Sequence, residues 1–200
     1  MFTGIVQGTG RIVEVIEGDA IKSFKIEVPN TDSLVVGASI SVDGVCLTAT
    51  SIENKVVSFD VIQETLSRTT LGQLEVNEVV NIERSLKFGD EIGGHLLSGH
   101  IMATGIVHEI SELGEGLNIS ILVPLSIEKY LLEKGYVAID GISLTIGEMN
   151  NSRFNLHIIP ETIRQTTIAS KQVGDAVNIE IDSTTQTIVS TVERMTKLNK

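Results

Sequence analysis

The sequence predicts an all-β protein: two tandem homologous six-stranded β-barrels followed by a C-terminal amphipathic helix. Three observations carry this: an internal repeat, short β-branched segments punctuated by glycine turns, and a tail with apolar residues at helical spacing.

The repeat comes first, because it decides the architecture. Ser41-Val-Asp-Gly-Val-Cys-Leu-Thr48 aligns with Ala138-Ile-Asp-Gly-Ile-Ser-Leu-Thr145 at an offset of 97 residues (Asp43 against Asp140). Phe59–Thr70 against Leu156–Thr167, and Val80-Asn-Ile-Glu83 against Val177-Asn-Ile-Glu180, keep the same offset of 97. Met102-Ala-Thr-Gly-Ile-Val107 echoes Met1-Phe-Thr-Gly-Ile-Val6 at an offset of 101 (Thr3 against Thr104), which implies about four extra residues in the early loops of the first copy. Such a period is far longer than a solenoid repeat, so each copy is expected to be a small domain. The expected division is 1–97, 98–184 and a helix over 185–200.

Within the first copy, residues 5–16 are β-branched with interspersed glycine and read as a strand with a bend or bulge. Glu17-Gly-Asp19 is a turn signal, and residues 21–28 alternate apolar and polar with one slip. Ile40, Val42, Cys46 and Thr48 bracket an Asp43-Gly44 turn or kink. Residues 55–62 form a strand, residues 63–72 one helical turn and a loop, and residues 78–84 a closing strand. About six short strands in so small a domain favour closure, which removes exposed edges. The second copy repeats this plan and adds a short helix over Leu125–Gly135, with Pro124 before it, Ser126 as cap and Gly135 as stop. In the tail, Ile188, Val192 and Met195 recur at helical spacing, widened by Val189 and Leu198. A helix of this length is unstable alone. It docks either on its own barrel or along sister subunits.

The formal net charge of −11 repels phosphate backbones and anionic lipid, which argues against nucleic-acid or membrane-surface partners. One cysteine, Cys46, excludes an intrachain disulfide and fits a reducing cytoplasm. The N-terminus lacks a signal-peptide pattern, and no apolar run approaches the ~20 residues of a spanning helix.

Chemistry-bearing residues are few. His95 and His100 flank Ser98-Gly99 in the glycine-rich seam, with no Cys nearby, so no metal site is expected. One histidine is structural or, in a glycine-lined loop, able to move protons near neutral pH. Cys46 corresponds to Ser143 and has no activating base in sequence, so it reads as a buried thiol. Thr48 and Thr145 lie two residues further on. They serve either β-propensity or recognition of a polyhydroxylated ligand. Glu64-Thr65 and Glu161-Thr162 form a second duplicated pair after an apolar strand, suited to the amide-like edge of a heterocycle or to solvent.

Met1–Val6, Gly44–Thr48, Glu64–Gly72, Gly93-Gly-His-Leu-Leu-Ser-Gly-His100 and Asp140–Thr145 together resemble riboflavin synthase of the alpha-chain type, over essentially the whole chain. Ile101-Met102 departs from the Val-Asp of many relatives. The resemblance implies dismutation of two molecules of 6,7-dimethyl-8-ribityllumazine by transfer of a four-carbon unit, giving riboflavin and 5-amino-6-(D-ribitylamino)uracil. It implies no metal or organic cofactor. It also implies a homotrimer held by the tail helices, with each active site between the first barrel of one subunit and the second of its neighbour. It places one pocket on Gly4, Ile5, Val6, Cys46, Leu47, Thr48, Asp60, Val61, Ile62, Gln63, Glu64 and Thr65. It places the other on Gly99, His100, Ile101, Ser143, Leu144, Thr145, His157, Ile158, Ile159, Pro160, Glu161 and Thr162. Lys134 is expected to reach a ligand of the neighbouring subunit. Ser41, Cys46, His100, Ser143 and Thr145 are expected to assist catalysis, with His100 as proton carrier and Ser143 or Thr145 as its polar partner. The alternative within the resemblance is the lumazine protein of luminous bacteria, which binds lumazine or flavin as an antenna without catalysis. Both halves here keep Asp-Gly, Leu-Thr and Glu-Thr, which favours the synthase.

Overall fold

The computed structural model describes residues 1–198; residues 199 and 200, the end of the expected tail domain, lie outside the described residues. The first barrel comprises β1 (Gly8–Glu17), β2 (Ile21–Glu27), β3 (Ser39–Val42), β4 (Val45–Glu53), β5 (Val56–Ile62) and β6 (Val79–Arg84). It closes in the order β1-β2-β5-β4-β3-β6, every recorded pair antiparallel. A six-residue helix α1 (Gln63–Arg68) and a 3-10 turn, Thr70–Gln73, carry the chain from β5 to β6. The second unit comprises β7 (Ala103–Leu113), β8 (Gly116–Leu122), a single helical turn α2 (Leu125–Glu128), β9 (Tyr136–Ile139), β10 (Ile142–Thr145), β11 (Met149–Asn150), β12 (Arg153–Ile158), α3 (Pro160–Gln165) and β13 (Ala176–Ile181). The helix α4 (Ser183–Leu198) follows.

The second sheet has seven strands, in the order β10-β9-β13-β7-β8-β12-β11. Its two ends, β10 and β11, are halves of one interrupted strand. At the corresponding place the first barrel has only a register shift between Ala49 and Ser51. The break falls at Gly147, whose amide still donates to the Asn155 carbonyl at 2.8 Å. Both barrels therefore follow one six-strand plan.

Alternation explains both cores. Strand side chains point to opposite faces in turn. In β2 the inward positions are Lys22, Phe24 and Ile26, which resolves the slip in the sequence pattern. Lys22 is tolerated inside because its ammonium meets the Gly72 carbonyl at 3.2 Å, the Glu17 carboxylate at 3.0 Å and the Phe24 ring face. Phe24, Ile26, Ile40, Val42, Val57 and Phe59 fill the first core; Ile119, Ile121, Val137, Ile139, Phe154 and Leu156 fill the second. Each such burial contributes about 1.5–3 kcal/mol. The Asp-Gly pairs are two-residue hairpins. Asp43 and Gly44 have φ of 43° and 82°, and Asp140 and Gly141 have φ of 45° and 79°. Positive φ at both central residues belongs to a type I′ turn, where Gly costs least. The two turns meet back to back: a Cβ on Gly44 would lie 2.7 Å from the Gly141 amide nitrogen. Phe2 and Leu97 form an antiparallel bridge between the repeats, so the copies face one another about a pseudo-twofold axis.

Two sequence expectations need correction. The early offset is 95 rather than 101. Thr3-Gly4 and Ser98-Gly99 occupy equivalent places, as do Gly10 and Gly105, each packed against the isoleucine of its closing strand. The second copy is thus the longer one, by two residues, gained between Val28 and Ile40 of the first and Val123 and Val137 of the second. That is where α2 sits. The identical string Thr-Gly-Ile-Val outweighed the structurally equivalent but divergent Ser98-Gly-His-Ile101. The second correction is α2 itself, which ends at Glu128, with Pro124 rather than Ser126 at its N-cap. In α4, Asp182 caps the start by accepting from the Thr185 amide (2.8 Å) and hydroxyl (2.7 Å). Its apolar stripe stays open: Ile188, Val192 and Met195 are each more than half exposed, while Lys129–Glu193 and Tyr130–Ser190 tether the polar side to the second barrel.

Candidate active site

Many of the expected site residues lie on the outside of the barrels, on the hairpin faces that the pleat turns away from each core. In the first repeat Ser41 stands opposite Cys46, and Ser39 opposite Thr48. In the second, Ala138 stands opposite Ser143, and Tyr136 opposite Thr145. A glutamate from the last strand completes each row: Glu83 beside Ser41, and Glu180 beside Ala138.

Each glutamate holds a short strap that precedes the first strand of its own barrel. Glu83 accepts from the Thr3 amide at 2.6 Å, the Thr3 hydroxyl at 2.8 Å and the Gly4 amide at 3.0 Å. Glu180 accepts from the Ser98 amide at 2.7 Å, the Ser98 hydroxyl at 2.7 Å and the Gly99 amide at 3.0 Å. Both carboxylates are buried, a costly place for charge. Charge-assisted hydrogen bonds contribute about 1.5–3 kcal/mol each, so three of them offset that cost. Burial still pushes the Glu83 carboxyl above its ordinary range, against the pull of the Thr3 and Gly4 hydrogen bonds.

The straps then cross to the other repeat. The Gly4 carbonyl accepts from the Ser143 amide at 2.8 Å, and the Gly99 carbonyl from the Cys46 amide at 2.9 Å. Val6 packs into the core of the second barrel, and Ile101 packs against the core of the first. Both glycines have positive φ, 73° and 79°, and neither tolerates a Cβ. At Gly4 it would come within 2.5 Å of the Ser143 Cβ, and at Gly99 within 2.5 Å of the Cys46 Cβ. Gly4 and Val6 therefore meet the second repeat, beside Ser143, and Gly99 and Ile101 the first, beside Cys46, whereas the resemblance groups Gly4–Val6 with Cys46 and Gly99–Ile101 with Ser143.

The linker between the repeats adds a second layer over Ser143. The His95 amide donates to the Thr3 carbonyl at 3.0 Å, and a Cβ on Gly94 would collide with that carbonyl at 2.2 Å. This close packing delivers the His95 ring to Ser143, with Nδ1 2.7 Å from the hydroxyl oxygen. The ring stacks on Tyr136 at 5.1 Å between centroids, and its Nε2 is buried without a hydrogen-bond partner among the described residues. Burial lowers the His95 pKa below its ordinary value, partly opposed by the Asp182 carboxylate. The imidazole is therefore neutral at pH 7 and can exchange a proton with the hydroxyl.

A family model for the lumazine binding domain matches residues 3–85 and 98–182. The riboflavin synthase of Escherichia coli (strain K12) is 50% identical over 198 residues, covering 98% of this chain and 93% of that protein. That of Buchnera aphidicola subsp. Baizongia pistaciae is 46% identical over 203 residues, covering 100% of this chain and 95% of that protein. Among solved structures, LumP complexed with riboflavin superposes with a TM-score of 0.85 at 30% identity, covering 92% of this chain and all of that one. LumP complexed with 6,7-dimethyl-8-(1'-D-ribityl) lumazine superposes at 0.83 and 29% identity.

The chain belongs to the riboflavin synthase family. It is thereby an enzyme of the transferase class, with two lumazine-binding repeats.

The other residues expected from the riboflavin synthase resemblance divide by pleat. Thr48, Asp60, Ile62, Gln63 and Glu64 are exposed on the first rim, and Thr145, His157, Ile159 and Glu161 on the second. Thr65, Leu144, Pro160 and Thr162 are half-buried. Leu47, Val61 and Ile158 point into the cores, so only their main chain reaches the rims. Ser41 is buried, with its Oγ near the Gly141 contact between the two turns. Lys134 is exposed after α2, held at φ of 65° with its amide bonded to the Ile146 carbonyl. His100 is exposed beside Cys46, and its amide meets the Ser98 hydroxyl at 3.2 Å. The histidine joined to Ser143 is His95, not the expected His100. Sequence reasoning also passed over Glu83 and Glu180. Their only signal was the repeated Val-Asn-Ile-Glu, with a carboxylate ending an apolar strand.

Proposed function

We propose that the protein is a riboflavin synthase that dismutates two molecules of 6,7-dimethyl-8-ribityllumazine to riboflavin and 5-amino-6-(D-ribitylamino)uracil. The observation that carries this reading is the pair of related rims in a chain 50% identical to the Escherichia coli enzyme. A reaction between two copies of one substrate calls for two similar surfaces with different polar groups. One rim carries the Cys46 thiol and the exposed His100; the other carries the Ser143 hydroxyl bonded to His95.

One lumazine loses a proton from its C7 methyl, giving a carbanion delocalised into the ring. The other accepts a nucleophile, and the four-carbon unit passes between them with no atom gained or lost overall. The protein's main task is to hold both rings in register, which replaces a bimolecular encounter. Thr48 and Thr145 offer exposed hydroxyls to the ribityl chains, and the first turns of α1 and α3, at Glu64-Thr65 and Glu161-Thr162, offer main-chain groups to the ring edge. The neutral His95 takes or returns a proton through Ser143; His100 and Cys46 serve the opposite rim, and Ser41 holds the turn beneath it.

The open rims and the bare apolar stripe of α4 support a homotrimer in which α4 packs on its equivalents, Lys134 reaches a neighbouring subunit's ligand, and each first rim faces a second rim. We divide the chain as 1–97, 98–184 and 185–200, and assign it to the cytoplasm on its single cysteine. Among the described residues no helix is long and apolar enough to cross a membrane.

The likeness to LumP favours a second reading, a lumazine or flavin carrier without turnover. Incubating the protein with 6,7-dimethyl-8-ribityllumazine and EDTA separates the two. Conversion to riboflavin, followed by absorbance, is the expected result; tight binding with bright fluorescence and no conversion establishes the carrier.

A further inference from the structure

We propose that Glu83 and Glu180 are crosswise positioning residues: each sets the rim of the repeat to which it does not belong. Glu180 ends the second barrel, yet the strap it grips seats Gly99 against Cys46 on the first rim. Glu83 ends the first barrel, yet its strap seats Gly4 against Ser143 on the second. The chain of contacts is short. A carboxylate fixes two successive amides and a hydroxyl, the glycine held there turns at positive φ, and its carbonyl takes the amide of the residue bearing the thiol or hydroxyl. The residue after each glycine, Ile5 or His100, is exposed at that same rim. Both repeats build the device in the same way, at distances that agree within 0.1 Å for each of the three bonds. Neither glutamate is exposed enough to meet a substrate, so each acts through its strap.

The device ties the two rims together. Within one chain, neither barrel completes its pocket alone; each lends three residues to the other. Loss of one carboxylate therefore damages the rim of the opposite repeat and spares its own.

This proposal rests on reading the rims as lumazine pockets, but Cys46 allows a test that does not. It is the chain's single thiol, half-buried beneath Gly99. In Glu180→Gln, one amide group of the new side chain opposes the strap's donors, and the strap lifts from Cys46. Modification by Ellman's reagent should then speed up about tenfold or more, while Glu83→Gln stays within about twofold of the unaltered protein. Glu83→Gln is also the matched control for general loosening, since it removes the same bonds from the other repeat. Ser98→Ala deletes one of the three bonds to Glu180, together with the longer contact of its hydroxyl with the His100 amide, and should give a smaller rise in the same direction, which keeps the test valid if Glu180→Gln does not fold. Lumazine should protect Cys46 in the unaltered protein and in Glu83→Gln, but not in Glu180→Gln. Equal thiol rates in the two Gln variants, or faster modification in Glu83→Gln, overturn the crosswise role. Absence of lumazine protection in the unaltered protein instead counts against the pocket reading and leaves the thiol comparison standing.

Discussion

The two rims share a floor and differ in their cover. Each has a hairpin face, a strap glycine and a carboxylate anchor, duplicated in nearly identical geometry. Ser143 also lies under the part of the inter-repeat linker that brings His95 to its hydroxyl at 2.7 Å, a contact with no counterpart at Cys46 among the described residues. A duplicated chain has two barrels but one linker. A symmetric fold thus becomes chemically asymmetric: the repeats supply the rim twice, and the segment between them supplies an imidazole once.

Filling a strap glycine should have the largest effect on either rim. Gly99→Ala and Gly4→Ala each place a Cβ 2.5 Å from a Cβ of the opposite repeat, at positive φ. Displacing the strap by about 1 Å is enough to cost about 100-fold in turnover, and steady-state assays of both variants should show at least that. Full activity in either would mean that the strap contact is dispensable at that rim.

The symmetry axis is the next target. Phe2 is 1% exposed and packs with Leu97 and Ala138 where the repeats meet. Phe2→Ala should cost about 3–5 kcal/mol and Leu97→Ala about 2–5 kcal/mol in urea unfolding. Costs far below these ranges would show that the axis is not a close-packed joint.

Much of this was legible in sequence. The offset of 97 carried the duplication because Asp-Gly, Leu-Thr and Glu-Thr recur in order, and the Asp-Gly pairs marked both hairpins because their turns need positive φ twice. The tail stripe marked α4 for the same periodic reason. The crossing of the straps was hidden. Periodicity records which face of a segment is apolar, not which barrel receives it, so Val6 and Ile101 looked like residues of their own repeats. His95 and His100 were indistinguishable as glycine-loop histidines; only the packing of Gly94 against Thr3 selects His95 for Ser143.

Polar substitutions sharpen the asymmetry. Ser143→Ala removes the partner of a buried imidazole nitrogen and should slow turnover about 10- to 100-fold, with a changed acid limb in the pH–rate profile. Cys46→Ala should leave that limb in place; an equal change in both would assign it elsewhere. His95 also links to stability. Its pKa is depressed by burial, so the unfolded chain takes up the proton first as pH falls below about 6.5. Stability therefore declines as pH drops from there toward the folded value, and His95→Gln should flatten that decline in thermal melts.

The smallest effect belongs to the hairpin turns. Asp140 meets Lys171 at 2.8 Å, whereas Asp43, buried beside Asp140, is pushed up to about 8, chiefly by burial. Burial raises the Asp140 carboxyl as well, opposed by the Lys171 ammonium, and the two carboxyls raise one another's cost of ionising. A raised carboxyl contributes stability that is lost as pH rises from about 4 toward 8. Asp43→Asn keeps the oxygen that accepts the Asn81 amide and should hold its melting temperature better than the unaltered protein as pH rises from about 4 to 8. A parallel decline in both proteins would remove Asp43 as the cause.

A crystal structure with 6,7-dimethyl-8-ribityllumazine bound would show whether each pocket is built from both repeats. The ligand over Cys46 and Thr48 should touch the main chain of Gly99–Ile101, and the ligand over Ser143 and Thr145 should touch Gly4–Val6. A ligand over Cys46 enclosed by Gly4–Val6 would contradict it.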